Sequence, residues 1–302
     1  MTWWPTCSSS LPERACNLER LAVWFQYLLP KNGLSLLARA ASRCRVGWFK
    51  GTLIGVFIRL FRVDMSQAQP DDPAAYESFN QFFTRSLKPG VRQIAPPEAG
   101  LACPCDGRVS QAGSIREGRI FQAKGQGFTA AELLGDEDLA APFADGRFAT
   151  LYLAPRDYHR VHMPTQATLE TEIHIPGSLF SVNDRTARHI PGLFARNERL
   201  TMVFRTDQGE PLGLVMVAAM LVSGIETAWT NAEYRRPGQI SRVSHETGHG
   251  PRLGRGEELG RFNWGSTVIL LRPASAPEWR REITPGAPIR FGQALCEGTF
   301  DR

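Results

Sequence analysis

Near its C-terminal end the chain runs Gly260-Arg-Phe-Asn-Trp-Gly-Ser-Thr-Val-Ile-Leu-Leu271. The apolar, β-branched run from Val268 predicts a buried strand. A Gly-Ser pair ahead of such a strand ordinarily marks the turn that starts it. The alternative is chemical: Ser266 would attack its own backbone at Gly265.

Outward from this strand, the chain from about Gly90 reads as short strands broken by glycine-containing turns. They include residues 108–115, 118–125, 148–155, 168–177, 200–209, 212–227, 266–273 and 289–298. That spacing predicts a β-rich body of sandwich or barrel-like architecture. No internal repeat and no low-complexity tract interrupts it. The polar stretch 244–260 reads as a mobile loop in which His245 and His249 are solvated.

The first 63 residues differ in character. They carry nine basic side chains against Glu13 and Glu19, a net charge of +7. The whole chain of 302 residues is +5, so the remaining 239 sum to −2. Three basic, aromatic-rich runs, 18–29, 34–49 and 51–63, have helical spacing. In the last, Leu53, Ile54, Phe57, Ile58, Leu60 and Phe61 form a broad apolar face, with Gly55, Arg59 and Arg62 on a narrow polar one. None reaches the ~18–20 apolar residues that cross a bilayer, and the N-terminus lacks the pattern of a signal peptide. Basic helices interleaved with Trp, Phe and Leu fit an anionic membrane surface. Packing on the protein's own core is the competing account for each helix. The face is too greasy for nucleic acid, and no base-stacking module is present. The fold expected is therefore α+β. Residues 1–85 form an amphipathic, membrane-associating helical region, and 86–302 form a β-rich catalytic domain. Between them, 66–78 is a polar, proline-containing connection, followed by a short helix through 79–87.

Composition is that of a folded protein, with 42% apolar and 22% charged residues. The six cysteines show no Cys-x-x-Cys pair and no disulfide-framework density, which points to a reducing compartment. Cys103-Pro-Cys105 is too tight for a zinc knuckle and reads as two packed thiols.

Three stretches carry candidate chemistry. Asp106 precedes Gly107 at the start of a strand. His159 and His162 lie in Ala154-Pro-Arg-Asp-Tyr-His-Arg-Val-His-Met-Pro164, where flanking prolines favour a turn that could aim both imidazoles into one cleft. The third is Gly265-Ser266-Thr267. Asp, His and Ser together fit a base, oriented by a carboxylate, that activates a hydroxyl. No Gly-x-Ser-x-Gly elbow is present, which disfavours an α/β-hydrolase. Asp106, His159 and His162 could instead hold zinc, although no helical His-Glu-x-x-His accompanies them. A membrane-binding β module without catalysis is a further alternative, and it would have no use for Ser266.

Residues 82–94, 106–111, 155–164, 175–183, 193–199, 223–227 and 256–271 resemble the bacterial phosphatidylserine decarboxylase proenzymes, from roughly Tyr27 to the C-terminus. Tyr158-His-Arg-Val-His-Met-Pro164 and the Gly-Ser-Thr turn are the specific elements. Trp264 replaces the Leu usual before the scissile Gly-Ser pair, and the first 16 residues have no counterpart.

The resemblance implies self-cleavage between Gly265 and Ser266 into chains 1–265 and 266–302, the second 37 residues long. Ser266, deprotonated by His162 with Asp106 orienting it, would attack Gly265 and end as a covalent pyruvoyl group. That group would form a Schiff base with the amine of phosphatidylserine and draw electrons as carbon dioxide leaves, the task pyridoxal phosphate does elsewhere. His159 would protonate the resulting carbanion, giving phosphatidylethanolamine. No pyridoxal phosphate and no metal is expected. Phe180 and Val182 would line the substrate, and Arg196 and Arg199 would meet a phosphate or form surface ion pairs. The implied partners are phosphatidylserine in an anionic membrane, the two cleavage chains as a heterodimer, and a further copy in a homo-oligomer. Nucleic acid is not among them. The implied place is the cytoplasmic face of a bacterial membrane, peripherally bound. A pyruvoyl decarboxylase of a small amino acid is the nearest rival, but would not need the basic N-terminal segment.

Overall fold

A computed structural model describes residues 23, 26–27, 31–123, 125–220, 224–230, 234, 238–263 and 266–298. The run 18–29 therefore lies mostly outside the described residues. Helices α1 (Lys31–Ser42) and α2 (Gly47–Phe61) follow it. The expected helix over 34–49 is thus broken: Cys44–Val46 are non-helical, and Val46 is extended at φ −64° and ψ 118°. Helix α3 (Phe79–Phe83) is capped by Ser78, whose side chain accepts from Gln81 N. It stops at Thr84, short of the expected 79–87, because the chain then pairs β1 (Ala68–Gln69) with β2 (Ser86–Leu87).

One face of α2 is buried. Ile54 and Phe57 pack with Tyr76, Phe79, Phe82 and Phe83 in an aromatic cluster separate from the main core. Phe57 meets Phe79 edge-on at 5.0 Å between ring centroids, a favoured geometry for aromatic pairs. The other face remains open, with Trp48, Val56 and Leu60 exposed, as are Leu36 and Leu37 of α1.

The body is an open antiparallel sheet. It joins β3 (Gly107–Ser114), β6 (Arg147–Leu153), β8 (Ala167–Ile175), β9 (Arg199–Thr206), β10 (Pro211–Val217), β12 (Ser241–Ser244), β15 (Ser266–Arg272) and β16 (Pro288–Ile289). Their order is β12-β8-β9-β10-β15-β6-β3-β16, with β13 (Arg252–Leu253) also on β8. A hairpin of β4 (Arg119–Ala123) and β5 (Gln126–Thr129) stands apart. The smaller sheet takes β7 (Arg160–His162), β11 (Ile225–Thr227) and β14 (Glu258–Phe262), in the order β11-β14-β7.

These orders correspond. In the large sheet β10, β15 and β6 are neighbours; in the small one β11, β14 and β7 are. Each member of the first set adjoins in sequence its counterpart in the second, so three adjacent strands turn one corner from sheet to sheet. Val161, Ile225, Leu259 and Phe262 of the small sheet share a single core with Val268–Leu271 of the large one. The barrel expected as one option is corrected here: the edge strands β12 and β16 do not pair, and the sheets turn a corner instead of closing. Strand β15 lies in mid-sheet and is buried along its whole length, as its unbroken apolar run predicts.

Gly107 shows how tightly β3 and β6 meet. Its φ is +152°, and a Cβ there would lie 2.2 Å from Tyr152 O. No side chain fits without shifting backbone. Gly107→Ala should cost about 2–3 kcal/mol, read as a lower urea midpoint with an unchanged slope.

Candidate active site

Ser266 opens β15 at the corner, in register with Leu153, the last residue of β6. It is fully buried, and its Oγ has no hydrogen-bond partner. A buried hydroxyl without a partner costs free energy, so its presence calls for a function. The neighbouring Thr267 hydroxyl is likewise buried and unpartnered. Gly265 and Trp264 lie outside the described residues. Asn263, just before them, is fixed: Asn80 of α3 donates to its Oδ1 at 3.0 Å, and its own Nδ2 donates to Glu226 at 3.0 Å.

On the neighbouring strand, the chain leaves β6 at Leu153, turns, and enters β7 at Arg160. Asp157 closes the turn by accepting from Ala154 N at 2.7 Å. His159 follows, and its carbonyl accepts from Phe262 N at 3.1 Å, which ties it to the strand leading to Ser266. Its ring is fully buried against Phe83, 4.1 Å between centroids. Nδ1 lies 2.8 Å from Asp157 O. A carbonyl only accepts, so the hydrogen-bond network assigns the proton to Nδ1 and leaves a lone pair on Nε2. That Nε2 has no partner. Burial pushes the imidazole down to about 3, with the Arg85 charge adding to the effect.

His162 lies further along β7, opposite Glu258. Its Nδ1 faces Gly256 O at 2.9 Å, so Nε2 is again the acceptor, here of the Tyr158 hydroxyl at 2.9 Å. Burial raises the Tyr158 phenol and keeps it protonated. Burial also lowers His162, against the pull of the Gly256 carbonyl and of the Glu258 and Asp106 carboxylates. Both histidines are therefore neutral bases at neutral pH.

Asp106 does not hydrogen-bond to either histidine. It takes a two-armed contact from Arg92, at 3.2 and 2.5 Å, and accepts from Phe291 N at 2.8 Å. Phe291 in turn stacks on His162, 3.8 Å between centroids and 16° from parallel. Asp106 thus reaches His162 through the residue that holds its ring.

Other expected residues are placed differently. Phe180 and Val182 are buried within the main core. The phosphate or surface role expected of Arg199 is corrected: it is buried and donates to the carbonyls of Leu133, Asn197 and Glu132. Arg196 lies over the Phe180 ring at 5.5 Å. Among the described residues, no three His, Cys, Asp or Glu side chains group as a metal ligand set. Sequence reasoning missed Tyr158, Arg92, Phe291 and the Asp157 turn. Tyr158 and Asp157 could have been found, since they lie inside the same motif as both histidines. Arg92 and Phe291 carry no local signal.

A family model described as Phosphatidylserine decarboxylase matches residues 79–297, and a second, described as PSD, matches residues 21–62. Curated relatives named phosphatidylserine decarboxylase proenzyme are similar over nearly the whole chain. The protein from Azotobacter vinelandii (strain DJ / ATCC BAA-1303) is 51% identical over 284 residues, covering 93% of this chain and 99% of its own. That from Xanthomonas euvesicatoria pv. vesicatoria (strain 85-10) is 53% identical over 271 residues, covering 89% and 96%. That from Ectopseudomonas mendocina (strain ymp) is 48% identical over 280 residues, covering 92% and 98%.

The depressed His159 has a consequence for stability. Unfolding restores an ordinary imidazole near 6.5, so below that pH the unfolded chain binds more protons than the folded one. Stability is full above about 6.5 and falls as pH drops toward about 3, by up to ~1.4 kcal/mol per unit. His162 adds in the same direction. His159→Asn, which keeps a donor for Asp157 O, should lose less stability than wild type between about pH 7.5 and about pH 5 in urea titrations. An equal loss would show that His159 is not held neutral by burial.

Proposed function

The chain belongs to the phosphatidylserine decarboxylase family, and from that membership we propose that it is a self-processing proenzyme acting on phosphatidylserine through residue 266. It decarboxylates the lipid to phosphatidylethanolamine, a step of phospholipid biosynthesis. The observation that carries the assignment is the buried, unpartnered Ser266 Oγ at the start of β15.

In processing, Ser266 Oγ attacks the Gly265 carbonyl carbon and gives up its proton, and the Gly265–Ser266 amide becomes an ester. His162 takes that proton at Nε2, once Tyr158 yields its hydrogen bond. Asp106 is a positioning residue: it holds Phe291 against the ring and favours the charged imidazole. Elimination across Ser266 breaks the ester, releasing Gly265 as the new C-terminus. Addition of water and loss of ammonia leave residue 266 as a pyruvoyl group. The residues fit such a group, since its precursor hydroxyl has no competing partner. Once formed, it supplies an electron-withdrawing carbonyl for the substrate amine.

His159 serves the later step. Its unpartnered Nε2 is free to carry a proton to carbon after carbon dioxide departs. An anionic headgroup entering beside it raises its proton affinity from the very low value of the empty site. Phe180 and Val182, buried in the core behind the 175–183 stretch, support an apolar wall for this space.

A phospholipid substrate places the enzyme at a membrane. Among the described residues no helix is long and apolar enough to cross one. We propose that α1 and α2, within a membrane-associating region 1–85, dock peripherally on an anionic bilayer from the cytoplasmic side. Leu60 and Trp48, exposed to 70% and 76%, support this. The body, 86–302, would carry the chemistry as chains 1–265 and 266–302, assembled further into a homo-oligomer.

Intact mass of the purified protein tests the processing. A 37-residue fragment beginning at position 266 and lacking an amino terminus is expected; Ser266→Ala should remain a single, inactive chain. His159→Ala should still cleave but turn over at least ~100-fold more slowly. An uncleaved His159→Ala chain would exchange the roles of the two histidines. For docking, Trp48→Glu with Leu60→Glu should reduce co-sedimentation with phosphatidylserine vesicles while cleavage proceeds. Unchanged sedimentation would move the docking face elsewhere.

A further inference from the structure

Beside the corner, a cleft of about 370 Å³ opens between the end of α2, β2 and the start of β3. That is within the ~300–1,000 Å³ typical of small-ligand sites. Six arginines line it against three aspartates. Two of the six are committed: Arg92 to Asp106, and Arg156 to Asp157 at 3.8 Å. The third aspartate, Asp64, is bonded to Ser66 and Gln67. Arg62, Arg85, Arg108 and Arg290 make no ion pair among the described residues, and the cleft is left with an unbalanced positive charge.

Arg85 is the decisive member. It is only 4% exposed, yet its Nε and Nη1 have no hydrogen-bond partner. Nη2 alone is used, on Arg156 O at 3.0 Å and Asp157 O at 3.5 Å. A buried guanidinium with idle donors is costly unless an anion completes it. Its field also reaches His159, whose proton affinity it lowers. Arg85 Nη2 and His159 Nδ1 both face the Asp157 carbonyl, at 3.5 and 2.8 Å, so the cleft adjoins the corner.

We propose that this cleft binds a phosphate anion, with Arg85 as its floor and Arg62, Arg108 and Arg290 at its mouth, and that it holds the phosphodiester of the substrate headgroup. This rests on the decarboxylase function above. The headgroup offers two anions, and the chemistry selects between them. The carboxylate loses its charge as carbon dioxide leaves, so a guanidinium on it would stabilise the ground state and slow the reaction. The phosphodiester keeps its charge throughout. Binding it is uniform, which lowers KM and leaves kcat little changed.

The test uses processed enzyme and a short-chain phosphatidylserine below its micelle concentration, which separates the cleft from membrane docking. Arg85→Met and the surface double variant Arg108→Ala with Arg290→Ala should each raise KM about tenfold or more, and in the surface variant, which leaves the charge beside His159 in place, kcat should be nearly unchanged. Inorganic phosphate should compete with the lipid in wild type and less well in both variants. If Arg85→Met fails to fold, the surface variant decides. Wild-type KM values in the variants would overturn the proposal, as would phosphate that binds without competing, which would mark a site for free anions. Intact mass keeps the two questions apart. An uncleaved wild-type chain would count against the function itself; a cleaved chain with unaltered KM would count against the cleft alone.

Discussion

Everything at the site depends on one constraint, the corner at which three adjacent strands pass from the large sheet into the small one. Strand β15 is hydrogen-bonded on both sides, to β10 and to β6, and is buried over all seven residues. Residue 266 therefore cannot drift, since any slip in register would move its apolar neighbours out of the core. The strand beside it, β6, turns the same corner to deliver His159, and β14 ties that turn to the chain approaching Ser266. Backbone pairing thus fixes where Ser266 and His159 sit in the chain's framework, and side-chain bonds refine it.

The corner also explains the electrostatics. Two sheets meeting at an angle leave little room for water, so both imidazoles lose solvation and remain neutral. A neutral imidazole is a base ready to accept, and the carbonyls of Asp157 and Gly256 fix which nitrogen does so. The same exclusion of water leaves the Ser266 hydroxyl without a partner. Sites of chemistry commonly hold such local costs, which the surrounding core offsets.

Legibility in the sequence followed range. The Val268–Leu271 strand and the turn at 154–157 are local patterns, and each could be read from a dozen residues; His162, expected in that turn, lies instead in strand β7. The orienting of His162 could not be read so. It runs from Asp106 to Phe291, 185 positions away, and Asp106 is itself matched by Arg92. Closed barrel and open corner likewise share the same strand spacing; only pairing between distant strands separates them. Arg199 misled for a different reason. Charge suggests exposure, but nothing in a sequence says that three backbone carbonyls will surround a guanidinium.

A cut between Gly265 and Ser266, as proposed, would leave the core intact. The proposed 37-residue fragment would begin with the central strand β15 and include β16 and Phe291. Val268, Ile269, Leu270 and Leu271 are each fully buried in the shared core, at ~1.5–3 kcal/mol apiece. Backbone bonds to β10 and β6 would remain once the amide were cut. The proposed cleavage would therefore change the chemistry of residue 266 without releasing the strand that holds it. It would also leave His162, on the long chain, stacked against Phe291, on the short one, with Asp106 bonding across the divide. The processed site would then be composite: neither chain alone would retain both residue 266 and the groups proposed to position its base.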